Sequence, residues 1–293
     1  MSTSFTSKLI KVYFTLATGQ FGETNDPKGN TKIVEGLRVN AEIRKGGKPS
    51  KNEAIIRVFG MLEQDMNKLS TLGIHPLGVR NNLVQVLAGD SDGLTTVFRG
   101  EITGAWVNYH TPPDLFFEVH AIEAYYGSLQ YAQPTTAKGS VNASNIFRSL
   151  AGQMGLQFQN NGVDSLIQDP YLFGSPYDQA AELAEALNIE FGVDDGVLFI
   201  APLGMSRPPK GMVPLISPTT GMKEYPLWDK QGLVVETLLN PAYQLNGQVV
   251  IQDSAVTRAN GAWRIHGLTH RIASKHPHES SWASKLHLVK EGV

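Results

Sequence analysis

The sequence predicts a mainly β protein with a small α+β insert: two related antiparallel β domains linked by a helix-helix-hairpin module. Three observations predict it. Apolar and polar residues alternate over short runs in both outer parts of the chain, the period of half-buried strands. One order of elements (run, glycine turn, run broken by glycine, proline-containing loop, run) occurs twice, as a divergent internal repeat would. Between the two copies the apolar period lengthens to that of amphipathic helices.

The C-terminal copy is the clearer one. Gln248-Val249-Val250-Ile251 leads through a loop to Asn260-Gly261, then Ala262 to His266, Gly267, Leu268 to Ile272, the loop Lys275-His276-Pro277-His278-Glu279, and Trp282 to Val289. Trp282, Ser284, Leu286 and Leu288 share one strand face. Trp263 and Ile265 alternate in the same way, and after Gly267 the apolar set resumes one residue out of phase as Leu268, His270 and Ile272. A glycine at a phase break predicts a β-bulge. The whole reads as an antiparallel meander with one buried face.

The N-terminal copy runs Leu83 to Leu87, the turn Asp90-Ser91-Asp92-Gly93, Thr96 to Arg99, Gly100, Ile102 to Tyr109, the loop His110 to Asp114, and Leu115 to Ala121. Ahead of it, Leu9 to Leu16, Leu37 to Ile43 and Ala54 to Phe59 alternate as strands. Lys45-Gly46-Gly47-Lys48-Pro49 joins two of these as a hairpin, and Thr18 to Asn30 reads as a long mobile loop. Glu63 to Leu69 predicts a short helix ended by Leu72-Gly73.

In the middle, Asn142 to Gly155 places Ile146, Phe147, Leu150, Ala151 and Met154 on one helical face, with Ser144 as N-cap and Gly155 as the stop. Ser175-Pro176-Tyr177-Asp178 is a capped helix start, and Tyr177, Ala180, Ala181, Ala184 and Leu187 form its apolar stripe as far as Asn188. Asp194-Asp195-Gly196 joins Ile189–Val193 to Val197–Ile200 as a hairpin. Five prolines from Pro208 to Pro226 make an extended connector, with a short pairing at Gly211 to Leu215. The domains expected are 1–138, 139–203 (the α+β module), 204–232 (the connector) and 233–293.

Over 293 residues, 41% hydrophobic composition and a mean hydropathy of −0.16 place the chain among globular proteins. No apolar run has the length of a membrane span, and Met1-Ser2-Thr3-Ser4 opens without the pattern of a signal peptide. There is no cysteine, which excludes disulfides, thiolate metal sites and cysteine nucleophiles. With 25 basic and 27 acidic residues, no global field attracts nucleic acid. Charged residues are only 18%, which suits a subunit with large buried contacts.

Candidate chemistry resolves into structural roles. Asp90, Asp92 and Glu101 approach a calcium-loop spacing, but Leu94 and Thr95 occupy the fifth ligand and glycine positions, so a hairpin turn is expected. His266, His270, His276 and His278 follow no recognised zinc spacing. Asp194 and Asp195 read as solvent-facing turn residues, Asp164 and Asp169 as loop residues, and Glu118 and Glu123 as outward strand residues, so no acid pair is set up for hydrolysis. No nucleophile elbow, phosphate loop or dinucleotide fingerprint occurs. Trp106, Trp263 and Trp282 are expected in the β core rather than on a carbohydrate platform. No catalytic, cofactor-binding or metal residue is named, and no cofactor.

The order of parts carries a resemblance. Leu238-Leu239-Asn240-Pro241, Leu245-Asn246-Gly247-Gln248-Val249, Asn260-Gly261-Ala262-Trp263-Arg264-Ile265 and His270 follow the helix-helix-hairpin module at Asn145 to Ile200. In this the chain resembles baseplate hub proteins of long-tailed bacteriophages, in particular the Mu-like contractile-tail type, over nearly its whole length. It departs from that pattern in the extra residue before Pro241 and in the loop at Thr18 to Asn30.

The resemblance implies two tube-type β-barrels per chain and a homotrimer forming a pseudo-sixfold ring. That ring would join a hexameric tail tube protein to a trimeric central spike protein, with tape measure and baseplate wedge proteins as further neighbours. DNA would pass transiently through the lumen, in a virion baseplate assembled in the host cytoplasm. A threefold protein docks on a sixfold one only if each chain presents near-equivalent surfaces twice, which agrees with the internal repeat. The alternatives are a peptidoglycan-degrading tail enzyme and the hub of a type VI-like injection machine. Hub and spike are usually fused in the latter, so an end at Val293 without a spike repeat favours the phage tail.

Overall fold

The computed structural model describes residues 8–22, 26–46, 51–71, 81–110, 114–209, 211–275 and 281–291. The chain forms two compact units: Met1–Arg44 with Glu53–Ile122 and His270–Ala283, and Lys45–Asn52 with Glu123–Thr269 and Ser284–Val293.

In the first unit the strands are β1 (Leu9–Thr15), β2 (Thr31–Glu35), β3 (Arg38–Gly46, whose last two residues belong to the second unit), β4 (Glu53–Phe59), β5 (Leu83–Asp90), β6 (Gly93–Asn108) and β7 (Phe116–Ile122), with helix α1 at Glu63–Leu69. They pair antiparallel in the order β2-β1-β5-β6-β7-β4-β3. Alternation sets the core: Ile10, Val12 and Phe14, then Val39, Ala41 and Ile43, then Ala54, Ile56 and Val58 are all buried. The expected hairpin turn holds, since Asp90 pairs with Gly93 and the Asp92 N–H donates to Asp90 Oδ1 at 2.9 Å.

Strand β6 runs on through Gly100, the glycine at which the sequence divides it into two runs. Gly100 pairs regularly with Val84, and register shifts fall on either side of it, at Val97 against β5 and at Thr103 against β7. Gly100 serves close approach: a Cβ there would lie 2.7 Å from the Phe98 ring and 3.0 Å from the Ile122 carbonyl. Trp106 departs from its expected core place. It stands on the opposite sheet face, 41% exposed, with its ring centroid 4.9 Å from that of His120. The helix-ending Leu72-Gly73, most of the loop from His110 to Asp114, Gly47-Lys48-Pro49 and the segment from His276 to Glu279 lie outside the described residues.

The second unit begins its helical part with α2 (Tyr125–Leu129) and two short ribbons, β8 (Thr135–Thr136) with β12 (Tyr171–Leu172) and β9 (Ser140–Asn142) with β11 (Leu166–Gln168). Helices α3 (Ala143–Gln153) and α4 (Pro176–Ala186) pack with the sheet β10 (Gln157–Asn160), β14 (Val197–Pro202) and β13 (Ile189–Asp194), in that order, β10 running parallel to β14. Phe147, Leu150, Leu183, Ala184, Leu198 and Ile200 centre the core. The α4 start is as the sequence predicts: Ser175 Oγ accepts from the Asp178 N–H at 3.1 Å, with Pro176 in the first turn. Leu183, missing from the expected stripe, is fully buried. The α3 cap is Asn142 rather than Ser144: Asn142 has extended backbone, and its Oδ1 accepts from the Ser144 N–H at 2.9 Å.

The rest of this unit carries β15 (Leu215–Ile216), β16 (Leu227–Asp229), β17 (Gly232–Leu238), β18 (Gln248–Ile251), β19 (Gly261–Ser274) and β20 (Trp282–Val289), the last two extending into residues of the first unit. Strands β18, β19 and β20 follow one another as a meander, but β17 pairs with β20, so the first strand lies beside the last rather than beside β18. Burial along β19 does change phase, from Trp263 and Ile265 to Leu268, His270 and Ile272 across the half-buried His266 and Gly267. Trp263 is core as expected, 1% exposed, its Nε1–H donating to the Ala259 carbonyl at 2.7 Å. Trp282 is half-buried. Replacing Trp263 by Ala should cost about 3–5 kcal/mol of unfolding free energy in urea titration. A loss under about 1 kcal/mol would contradict its place in the core.

Candidate functional site

A buried charge cluster in the second unit is the most concentrated polar chemistry among the described residues. Four segments build it. Lys45 comes from the end of β3, Asp194 and Asp195 from the β13–β14 hairpin, Arg207 from the proline-rich connector, and Glu123 from the turn after β7.

The hairpin places its acids by turn chemistry. Asp194 pairs with Val197, leaving Asp195-Gly196 as a two-residue turn with φ of 54° and 84°. Two positive φ values match the twist of the flanking strands, and Asp-Gly accepts them. Asp194 therefore ends a buried run, Phe191-Gly192-Val193-Asp194, and points with it into the interior. The expectation that both acids face solvent is corrected: Asp194 is 1% exposed, and the Asp195 side chain only 10%.

Lys45, itself 3% exposed, places its Nζ 2.7 Å from Asp194 Oδ1 and 2.6 Å from Asp195 Oδ1. Arg207 Nη1 lies 3.0 Å from Asp194 Oδ2 and donates to the Leu245 carbonyl at 3.2 Å, while Nη2 donates to Gln159 Oε1 at 2.9 Å. The guanidinium stacks 4.2 Å from the centre of the Phe199 ring. The Leu245 N–H donates to Asp194 Oδ2 at 3.2 Å. Asn52 braces the base: its Oδ1 accepts from the Gly46 N–H at 3.1 Å and its Nδ2–H donates to the Val193 carbonyl at 2.8 Å.

Glu123 was expected on an outer strand face and is instead 2% exposed, because the chain turns inward after Ile122. Its Oε1 accepts from the Asp195 N–H at 3.1 Å, and its buried Oε2 has no hydrogen-bond partner. Two cations already balance two anions, so a third carboxylate would be in excess. Burial pushes the Glu123 pKa well above the ordinary 4.5; Lys45 opposes this, and Asp195 and Asp194 add to it. Burial pulls Lys45 down, but Asp194, Asp195 and Glu123 outweigh it and leave its pKa raised. The cluster is thus two ion pairs beside a carboxyl group whose neutral form burial favours.

One carboxylate oxygen each from Glu123, Asp194 and Asp195 lies within 4.8 Å of the others, a spacing at which a cation can be held. The cation present is the Lys45 ammonium. Hydrolysis by paired acids needs a cleft for substrate between them; here the space between Asp194 and Asp195 is filled by Lys45.

The other residues weighed from the sequence are not brought together here. Asp164 is exposed and accepts from Asn142 Nδ2, and Asp169 is exposed and accepts from the Gly139 N–H. Glu118, on an outer sheet face as expected, takes Arg57 at 2.7 Å and His120 at 3.0 Å. His266 is half-buried and His270 buried along β19, while His276 and His278 lie outside the described residues.

A sequence profile of the family described as baseplate hub gp41 matches residues 9–278, and the chain belongs to that family. Among solved structures, the fold is similar to a tail protein of Neisseria meningitidis MC58 (TM-score 0.67, 10% identity, 98% of each chain covered). It is also similar to the 43 kDa tail protein of prophage MuSo2 of Shewanella oneidensis (TM-score 0.61, 10% identity, 98% of this chain and 97% of that one). A third likeness is to the E. coli c3393 protein, a type VI secretion component described as structurally similar to the T4 tail proteins gp27 and gp5 (TM-score 0.52, 11% identity, 87% and 74% covered). No curated protein sequence matches the chain. The fold is that of a phage tail hub, shared with a type VI component.

The cluster gives two predictions. Asp194→Ala leaves Lys45 and Arg207 buried without that counter-charge and should cost about 3–5 kcal/mol in chemical unfolding; a loss under 1 kcal/mol, roughly the worth of a surface pair, would contradict the burial. Glu123 binds its proton more tightly folded than unfolded. Its contribution is therefore complete below 4.5 and is lost as pH rises from there through the raised folded value. Melting temperature measured across that range should fall with pH in the wild type and fall less in Glu123→Gln; parallel slopes would refute the assignment.

Proposed function

We propose that the protein is a non-enzymatic, homotrimeric baseplate hub whose work is geometric. Three chains, each with two related tube-type β-barrel domains, would form a pseudo-sixfold ring between a hexameric tail tube and a trimeric spike, and DNA would cross its lumen at ejection. The domains of this reading are 1–138 and 233–293, joined by the module 139–203 and the connector 204–232. The observation that carries it is the family match across residues 9–278, nearly the whole chain.

Two features support the reading. Strands β6 and β19 are the long strands of their respective meanders, and each departs from simple alternation midway, β6 by bulges at Val97 and Thr103 and β19 by its phase change at His266-Gly267. Such departures bend a strand and serve a curved sheet. The charge cluster, for its part, has the character of a junction: its charges are paired with each other and walled in. The site is the virion tail baseplate, with tube and spike proteins as partners.

The likeness to a type VI component favours a second reading, the hub of an injection machine. Native mass spectrometry with particle imaging tests the first reading. It predicts a trimer, or a ring with threefold symmetry and a central hole, on addition of tube or spike protein. A stable monomer at micromolar concentration that no tail protein converts would overturn it. Clearing of a cell-wall suspension by the purified protein would overturn the non-enzymatic part alone.

A further inference from the structure

We infer that Lys45 and Asp195 are placed to join covalently, the Lys45 Nζ forming an amide with the Asp195 side-chain carboxyl and Glu123 carrying the protons. Three observations meet at this point. The amine and the acid are already in contact, Nζ lying 2.6 Å from Asp195 Oδ1. The carboxyl carbon is one bond beyond that oxygen, so the amine and the carbon it would attack are neighbours before any backbone moves. Glu123 is tied to the same residue, its Oε1 accepting from the Asp195 N–H at 3.1 Å, while Oε2 is buried with no hydrogen-bond partner.

The step balances without any co-reactant. A proton moves from the Lys45 ammonium to the Asp195 carboxylate, giving a neutral amine and a neutral acid. The flanking carboxylates favour the charged form, so the neutral pair is a minor state through which the reaction passes. The amine nitrogen then attacks the Asp195 carboxyl carbon. Glu123 protonates the departing hydroxyl and recovers its proton from the nitrogen. One C–N bond forms, one C–O bond breaks, and one water leaves. The narrow crevice beside Glu123, partly open to solvent and lined also by Lys51, Asn52 and Tyr177, gives that water a way out.

Charge balance selects Asp195 over Asp194. Asp194 is held as an anion by Arg207 and by the Leu245 N–H. Once the Lys45 charge is gone, Arg207 and Asp194 still neutralise each other. Joining Lys45 to Asp194 would strand the Arg207 cation. The bond would link the end of β3 to the β13–β14 hairpin, positions 150 residues apart. A crosslink of that span constrains the unfolded chain most.

Intact mass and peptide mapping of the purified full chain test this. The expected result is a mass lower by one water and a branched peptide joining Lys45 to Asp195. Both should be absent in Lys45→Arg, and in Glu123→Gln the unjoined mass should persist after the wild type is complete, since a general acid-base group is worth roughly a hundredfold or more in rate. An unmodified wild-type mass with no branched peptide after prolonged incubation overturns the proposal. So does a water loss that persists in Lys45→Arg, which would trace to cyclisation at Asp195-Gly196. Should Lys45→Arg fail to fold, the wild-type branched peptide decides alone.

Discussion

The second unit depends on one constraint: Asp194 is a fully buried carboxylate that must be neutralised from distant parts of the chain. Lys45 reaches it from 149 residues upstream and Arg207 from 13 downstream, and the Leu245 N–H completes its shell. A buried ion pair adds little net stability against a well-packed apolar substitute, but losing one partner is expensive. Its effect is therefore selective. Arrangements that fail to bring β3, the β13–β14 hairpin, the connector and the Leu245 loop together leave a bare charge in the interior.

Around that point the structure is ordinary close packing. The helical part centres on Phe147, Leu150 and Leu183, and the C-terminal part on Trp263, Ile265, Leu286 and Leu288. Arg207 spans from the connector to Gln159 on β10, and its N–H donates to the Asn246 carbonyl at 2.6 Å. A stretch that prolines bar from regular structure is thereby fixed by side chains and isolated backbone bonds.

What was legible in the sequence was local. Helix α4 announced itself through Ser175, Pro176 and Asp178, β18 through its short apolar run and β20 through alternation, because caps and strand faces are decided within a few residues. The cluster was not legible, because burial of Asp194 and Glu123 is decided by partners far away in sequence. The available signal was slight: strand alternation puts Asp194 on the face of Glu190 and Gly192, opposite Phe191 and Val193, and does not say that this face is covered. Trp106 misled for the opposite reason. Alternation says that a residue faces one side of a sheet, but not which side is covered, and in β6 the bulge at Thr103 lies between the core positions of Phe98 and the outward Trp106. The pairing of β17 with β20 is likewise a long-range choice that strand patterns leave open.

Native-state hydrogen exchange at the backbone amides of Asp195, Arg207 and Leu245 tests the central claim most directly. These amides sit in turns and connectors that would exchange quickly on their own, and each donates to a partner at the junction: Glu123 Oε1, the Asn246 carbonyl and Asp194 Oδ2. The account predicts that all three are protected to the level of the core strands β13 and β14 and open together with them. Exchange at the rate of exposed loops, with the strands still protected, would contradict it.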